Sequence, residues 1–297
     1  MIKSYPMFAV FLCFVFASCS KKDGETIPIV NEPSKNLDLV VVGKKGVDFN
    51  TENTNGTWYN NVYNLKSHWF YTWGINLPFQ QKPLNTEYVP MFWGKGSVTD
   101  ASIMYVKDLK TQGRAKYILG FNEPDLTDQA NMSVQEALLL WPKLESIGLP
   151  LGSPATSWPT RQWLYDFMDQ AIAQNRRVDF IAVHMYVGTD DVHFIQVLQD
   201  LYNKYRKPIW ITEFATSAND AKSMAENPYT PEMVQNFMQR LLPKLEALSF
   251  VHRYSWFSGS PTSSRLWSSS LVNANGTMTS LGKWYADYQP NQRIAKP

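Results

Sequence analysis

Two glutamates close apolar runs in this chain: Glu123 in Gly-Phe-Asn-Glu-Pro-Asp (120–125) and Glu213 in Ile-Trp-Ile-Thr-Glu-Phe (209–214). The β-branched and aromatic residues before each are strand-forming, so each glutamate reads as a carboxylate at the C-terminal tip of a strand. Two carboxylates placed this way are what glycosidic-bond hydrolysis needs. One protonates the leaving oxygen while the other attacks the anomeric carbon or activates water. A glutamate at a strand end more often pairs with a neighbouring Lys or Arg, but neither of these motifs contains a basic residue.

Other chemistries find less support. The four histidines, His68, His184, His193 and His252, form no H-x-x-x-H pair, which argues against a catalytic zinc site. Serine hydrolysis lacks its G-x-S-x-G elbow, and Gly152-Ser153-Pro154 does not replace it. No metal and no cofactor is expected. The net charge is only +2 and no Lys/Arg cluster interleaves with aromatics, so nucleic acid is not an expected partner. Aromatic residues make up 14% of the chain, with 11 Trp. Their flat apolar faces and polar edges suit sugar rings.

The elements that must carry the glutamates alternate. Strand-like runs fall at 45–49 (short enough to be only a loop), 69–73, 88–93, 117–121, 149–153, 178–186, 209–214 and 251–257. Helical stretches fall between them. One starts at Thr99 beside Asp100 and ends before Gly113, and another opens on a Ser133/Glu136 capping box. Others cover about 160–174 and 192–205, the latter stopped before Pro208. Thr230-Pro231-Glu232 starts a helix to about 247, and a last one covers about 280–288. Eight strands alternating with helices predict an α/β fold, a (β/α)8 TIM barrel with a single catalytic domain over 44–297. Its active site lies at the C-terminal strand ends, which puts Glu123 on the fourth strand and Glu213 on the seventh. A doubly wound open sheet is the alternative, but no Gly-rich phosphate loop follows any strand.

The first nineteen residues read as a secretory signal: Lys3, then the apolar run Met7–Ala17, then small residues before Cys19. Phe16-Ala17-Ser18-Cys19 resembles a bacterial lipobox, which makes Cys19 the lipid-bearing first residue of the mature chain. Ordinary signal cleavage is the rival reading. Ser20 next to it suits the outer membrane of a Gram-negative bacterium, so the protein is expected to be exported and lipid-anchored there or at the cell surface. Residues 20–43 read as a polar tether and N-terminal extension. Cys13 and Cys19 are the only cysteines, so the mature domain holds no disulfide and relies on core burial. A monomer is expected.

The motifs GFNEPD (120–125), IWITEF (209–214), FIAVHMY (180–186), YVPMFWG (88–94) and WFYTWG (69–74) together resemble glycoside hydrolase family 128, the Asl1-like glycosyl hydrolase catalytic core. This clan A barrel acts mainly on β-1,3-glucan, and the resemblance spans roughly residues 44 to 288. It implies a retaining endo-β-1,3-glucanase in which Glu123 is the acid/base and Glu213 the nucleophile. Asn122 would donate to the sugar 2-hydroxyl. Tyr186 or His184 would hold the nucleophile, although His184 also reads as a structurally bonded histidine at a strand end. Trp256 would floor the site under the sugar. Tyr71, Trp73 and Trp93 would line the cleft towards the non-reducing sugars, with Trp158 as a lid, cleft residue or core filler. Thr72 stands where relatives often carry Asn, which leaves the exact substrate open. A second reading is the same machinery acting on another β-glycan or on short oligosaccharides. A third is a lipid-anchored surface glycan-binding protein, for which two neighbouring carboxylates have no evident use.

Overall fold

The computed structural model describes residues 43–50, 58–84 and 86–290. The signal segment, the lipobox with Cys19 and the tether up to residue 42 lie outside them. Six strands form one parallel sheet: β1 (Lys45–Asp48), β2 (Trp69–Tyr71), β3 (Glu87–Tyr88), β4 (Ile181–Val187), β5 (Ile209–Thr216) and β6 (Val251–Phe257), in the order β3-β2-β1-β6-β5-β4. The first and last strands of the chain pair directly, Lys45 beside Tyr254 and Asp48 beside Phe257. The open edges of β3 and β4 are joined by two extended segments that pair through single parallel bridges. Met91 bridges to Leu119, Ile118 to Leu151, and Gly152 to Phe180. The circle therefore closes as an eight-position barrel, with the fourth and fifth positions held by segments too briefly paired to count as strands.

Among the described residues, seven α-helices cover the outside: α1 (Trp58–Asn64), α2 (Asp100–Thr111), α3 (Val134–Glu145), α4 (Gln162–Ala173), α5 (Asp191–Tyr205), α6 (Pro231–Ala247) and α7 (Ser280–Asp287). Their starts follow local chemistry. The side chains of Thr99, Ser133, Asp190, Thr230 and Thr279 accept the first free backbone N–H groups, which are orphaned at any helix start. Sequence reading missed α1, a seven-residue helix that begins on the aromatic Trp58.

Strand alternation splits the core in two. Outward residues such as Val47, Phe70, Ile211, Phe214, Tyr254 and Trp256 pack under the helices. Inward residues Trp69, Tyr71, Tyr117, Phe180 and Trp210 fill the barrel. Among the latter, the buried Arg253 guanidinium lies 4.2 Å from the Trp210 ring and 4.6 Å from Tyr117, and pairs with Glu87 at 2.9 Å. This plug closes the N-terminal end of the barrel. Gly46 leaves room for it, since a Cβ there would come within 2.3 Å of the Trp69 indole.

Candidate active site

Glu213 owes its direction to a β-bulge. Along β5, Ile211 faces Val183 and Glu213 faces His184, so Thr212 is an extra residue on its strand. If Thr212 were paired as a regular strand residue, strict alternation would send Glu213 to the helix side along with Ile211; the bulge re-aims it into the barrel. There its carboxylate is nearly buried and heavily held. Oε1 accepts the Tyr71 hydroxyl at 2.9 Å and the Trp73 indole N–H at 2.6 Å, and Oε2 accepts the Tyr186 hydroxyl at 2.6 Å. Burial, followed by the charge of Glu213, pushes Tyr71 and Tyr186 well above the ordinary phenol range, so both remain donors.

Glu123 is placed by its backbone. Its N–H donates to the Ala155 carbonyl at 2.7 Å and the preceding Asn122 N–H to that of Trp93 at 2.9 Å. Its φ is +39°, in the left-handed region that disfavours a residue with a Cβ. Such a conformation costs of order 1–3 kcal/mol and persists where surrounding structure fixes it. Asp125, two residues on, accepts both the N–H and the hydroxyl of Ser157, which ties the Glu123 turn to the next cleft loop.

His184 links the two glutamates. Its Nδ1 lies 3.0 Å from Glu123 Oε1, and its Nε2 lies 3.4 Å from Glu213 Oε1, a charge contact rather than a hydrogen bond. Burial alone would lower this imidazole, but Glu213 and then Glu123 outweigh it and hold it above its ordinary value. One oxygen or nitrogen from each of the three residues falls within 4.8 Å of the others. The two ring nitrogens face different carboxylates, so the imidazole acts as a bridge between them. Retaining glycosidases keep their carboxyl groups about 5–5.5 Å apart, whereas inverting ones leave about 6.5–9.5 Å for a water. The short spacing here suits a covalent intermediate. The pair opens into a cleft of about 1030 Å³, large for a single small ligand.

The glycosyl hydrolase catalytic core family model matches residues 46–285. A subgroup I family 128 endo-β-1,3-glucanase from Amycolatopsis mediterranei, solved with laminaripentaose, superposes with a TM-score of 0.69 at 35% identity, over 82% of this chain and 98% of its own. The chain belongs to glycoside hydrolase family 128. A subgroup II endo-β-1,3-glucanase from Sorangium cellulosum matches at 27% identity and TM-score 0.62, over 83% of this chain and 99% of its own. A subgroup VII oligosaccharide-binding protein from Trichoderma gamsii, at 23% identity and TM-score 0.62 over 83% of this chain and 94% of its own, shares the fold. No curated protein sequence matches.

In this family 128 hydrolase, the aromatic residues expected at the cleft divide by depth and, on β6, by strand parity. Trp73, Trp93, Trp158 and Tyr186 line it. Trp158 stands in the wall, its ring stacked on His193 at 6.3 Å. Tyr71 does not line the cleft: it is fully buried beneath Trp73 and serves Glu213 through its hydroxyl. Trp256 is corrected more sharply. On β6 the inward residues are Arg253, Ser255 and Phe257, so Trp256 points outward, packs edge-on against Phe214 at 4.9 Å and donates its indole N–H to the Ser269 carbonyl. Phe257 takes the cleft position, edge-on to both Trp73 and Tyr186. Thr72 also points away, its hydroxyl 3.5 Å from that of Tyr88. Asn122 lines the cleft, but its Nδ2 donates to Gln129 at 3.2 Å, while its buried Oδ1 has no partner among the described residues. Sequence reading missed Phe49 and Phe257, whereas the Ser-rich 258–270 stretch, which reads from sequence as a long loop on the active-site face, does supply the polar 258–265 wall. The available signal for Phe257 was Arg253: a charged residue on the barrel-interior phase of 251–257 puts Ser255 and Phe257, not Trp256, on the inward side.

Proposed function

We propose that the protein is a retaining endo-β-1,3-glucanase acting on laminarin- or curdlan-like chains. The observation that carries this reading is the short Glu123–Glu213 spacing across His184 in an aromatic cleft. A Glu213 oxygen attacks the anomeric carbon, and the glycosidic C–O bond breaks as Glu123 gives its proton to the leaving oxygen. A water then attacks the glycosyl–Glu213 ester, passes its proton to Glu123, and frees Glu213. The donors from Tyr71, Trp73 and Tyr186 fix which carboxylate oxygens are free to attack. The unpaired Asn122 Oδ1 is a seat for a sugar hydroxyl, since a buried acceptor without a partner is costly. Likeness to the laminari-oligosaccharide-bound relatives supports the substrate class.

Product release from laminarin and curdlan by the protein lacking residues 1–19, beside Glu123→Gln and Glu213→Gln, tests the reading. A ladder of oligosaccharides from the wild type, lost by several orders of magnitude in both variants, is the expected result. Single-sugar release would point to end-on action. Binding without turnover, equal in all three proteins, would point to a glycan-binding protein. The reading extends to an exported monomer anchored by lipid at Cys19 in the outer membrane. Metabolic palmitate labelling that vanishes in Cys19→Ala is the expected sign of that anchor; labelling that persists would sink it.

A further inference from the structure

The end of β1 carries a third acid beside the glutamate pair. Asp48 is fully buried; its Oδ1 accepts the Ser258 N–H at 3.0 Å, and its Oδ2 lies 3.3 Å from the Ser255 hydroxyl. Strand register sets it level with Tyr71 on one side and Phe257 on the other. One neighbour holds the nucleophile and the other lines the cleft. Phe49 and Asn50, immediately after it, also line the cleft, as does the polar run that begins at Ser258. The ionisable groups facing it are Glu213 from β5, Tyr71 from β2, Tyr186 from β4 and Tyr285 from α7. No Lys or Arg is among them.

We propose that Asp48 is a positioning residue for glycoside cleavage, pinning the first residue of the Ser258–Arg265 wall to the barrel beside the Tyr71–Glu213 contact. The inference rests on the hydrolase reading above. Burial and then the Glu213 charge drive this carboxyl well above the ordinary carboxylate range, even though both of its donors favour the ionised form. That direction favours the uncharged form, whose carbonyl oxygen still accepts the Ser258 N–H. A neutral acid can hold the loop without repelling the nucleophile, which an ionised one at this depth would do.

The test is steady-state kinetics across pH on laminari-oligosaccharides for the wild type, Asp48→Asn and Asp48→Ala. Asn keeps an oxygen for Ser258 and carries no charge at any pH, so kcat, KM and the pH–rate profile should stay within about twofold of wild type. Ala removes the pin, so KM should rise about tenfold or more with kcat much less affected. An Asn variant that loses activity, or whose acid limb moves, would show that the ionised carboxyl is required and would overturn the proposal. An Ala variant with wild-type KM would do the same. If Ala fails to fold, the Asn profile still decides the matter. A wild type inactive on β-1,3-glucans refutes the substrate reading instead, and the same variants are then compared on whichever β-glycan it cuts.

Discussion

Glu213 receives three donated hydrogen bonds, from Tyr71 on β2, Trp73 just beyond it and Tyr186 on β4, and their removal one at a time has separable consequences. Trp73→Phe keeps a ring in the cleft wall but deletes the 2.6 Å bond to Oε1. Hydrogen bonds to charged groups contribute about 1.5–3 kcal/mol, so kcat should fall roughly 10- to 150-fold with KM changed far less. Tyr186→Phe should act similarly through Oε2, and equal loss of binding and turnover in either would contradict this account. The two glutamates were legible from residue type and strand-end placement alone. Asp48 was not, because a lone acid after Gly-Val carries no local mark; its meaning comes from Tyr71 and Phe257, which are close only in the closed barrel.

At the scale of elements, alternation decides what each residue does. Phe257→Ala should raise KM while leaving the melting temperature near wild type, since its ring is partly open to the cleft. Trp256→Ala should instead destabilise by about 3–5 kcal/mol, the usual cost of emptying a buried aromatic site. The reverse pattern in kinetics and thermal melts would mean the β6 phase is wrong. The Trp256 expectation failed because type was read without phase, and the buried Arg253 that sets the phase is anomalous in a strand read as apolar. The Thr212 bulge was hidden for a similar reason: Ile-Thr-Glu-Phe gives no compositional sign of an extra residue. A second element-level effect concerns Lys45. Its ammonium position is buried at the end of α7, bonded to the Tyr285 and Tyr288 carbonyls. Burial, followed by Lys66, lowers its pKa to about 7, and a neutral amine has one hydrogen for each carbonyl. The unfolded chain holds this proton up to about pH 10.4. The unfolded state thus binds more protons between about 7 and 10.4, and through this group stability rises with pH across that window. Thermal melts at pH 7 and 9.5 should show a smaller gain in Lys45→Met than in wild type; equal gains would rule the effect out.

For the whole molecule, the alternation of strand and helix was readable because hydrophobic runs and caps repeat along the chain. The fourth and fifth barrel positions pair so briefly that only closure of the ring identifies them. Residues 43–290 contain no cysteine, so a reductant should leave the melting temperature unchanged; a shift would mean that a covalent link has been overlooked. No helix among the described residues is long and apolar enough to cross a membrane. The central claim is that two close carboxylates, bridged by His184, cut the glucan through a covalent intermediate. Proton NMR during the first minutes of laminari-oligosaccharide hydrolysis reads it directly. The account predicts that the β-anomer of the new reducing end appears first and relaxes to the α/β mixture, whereas the α-anomer appearing first would contradict it.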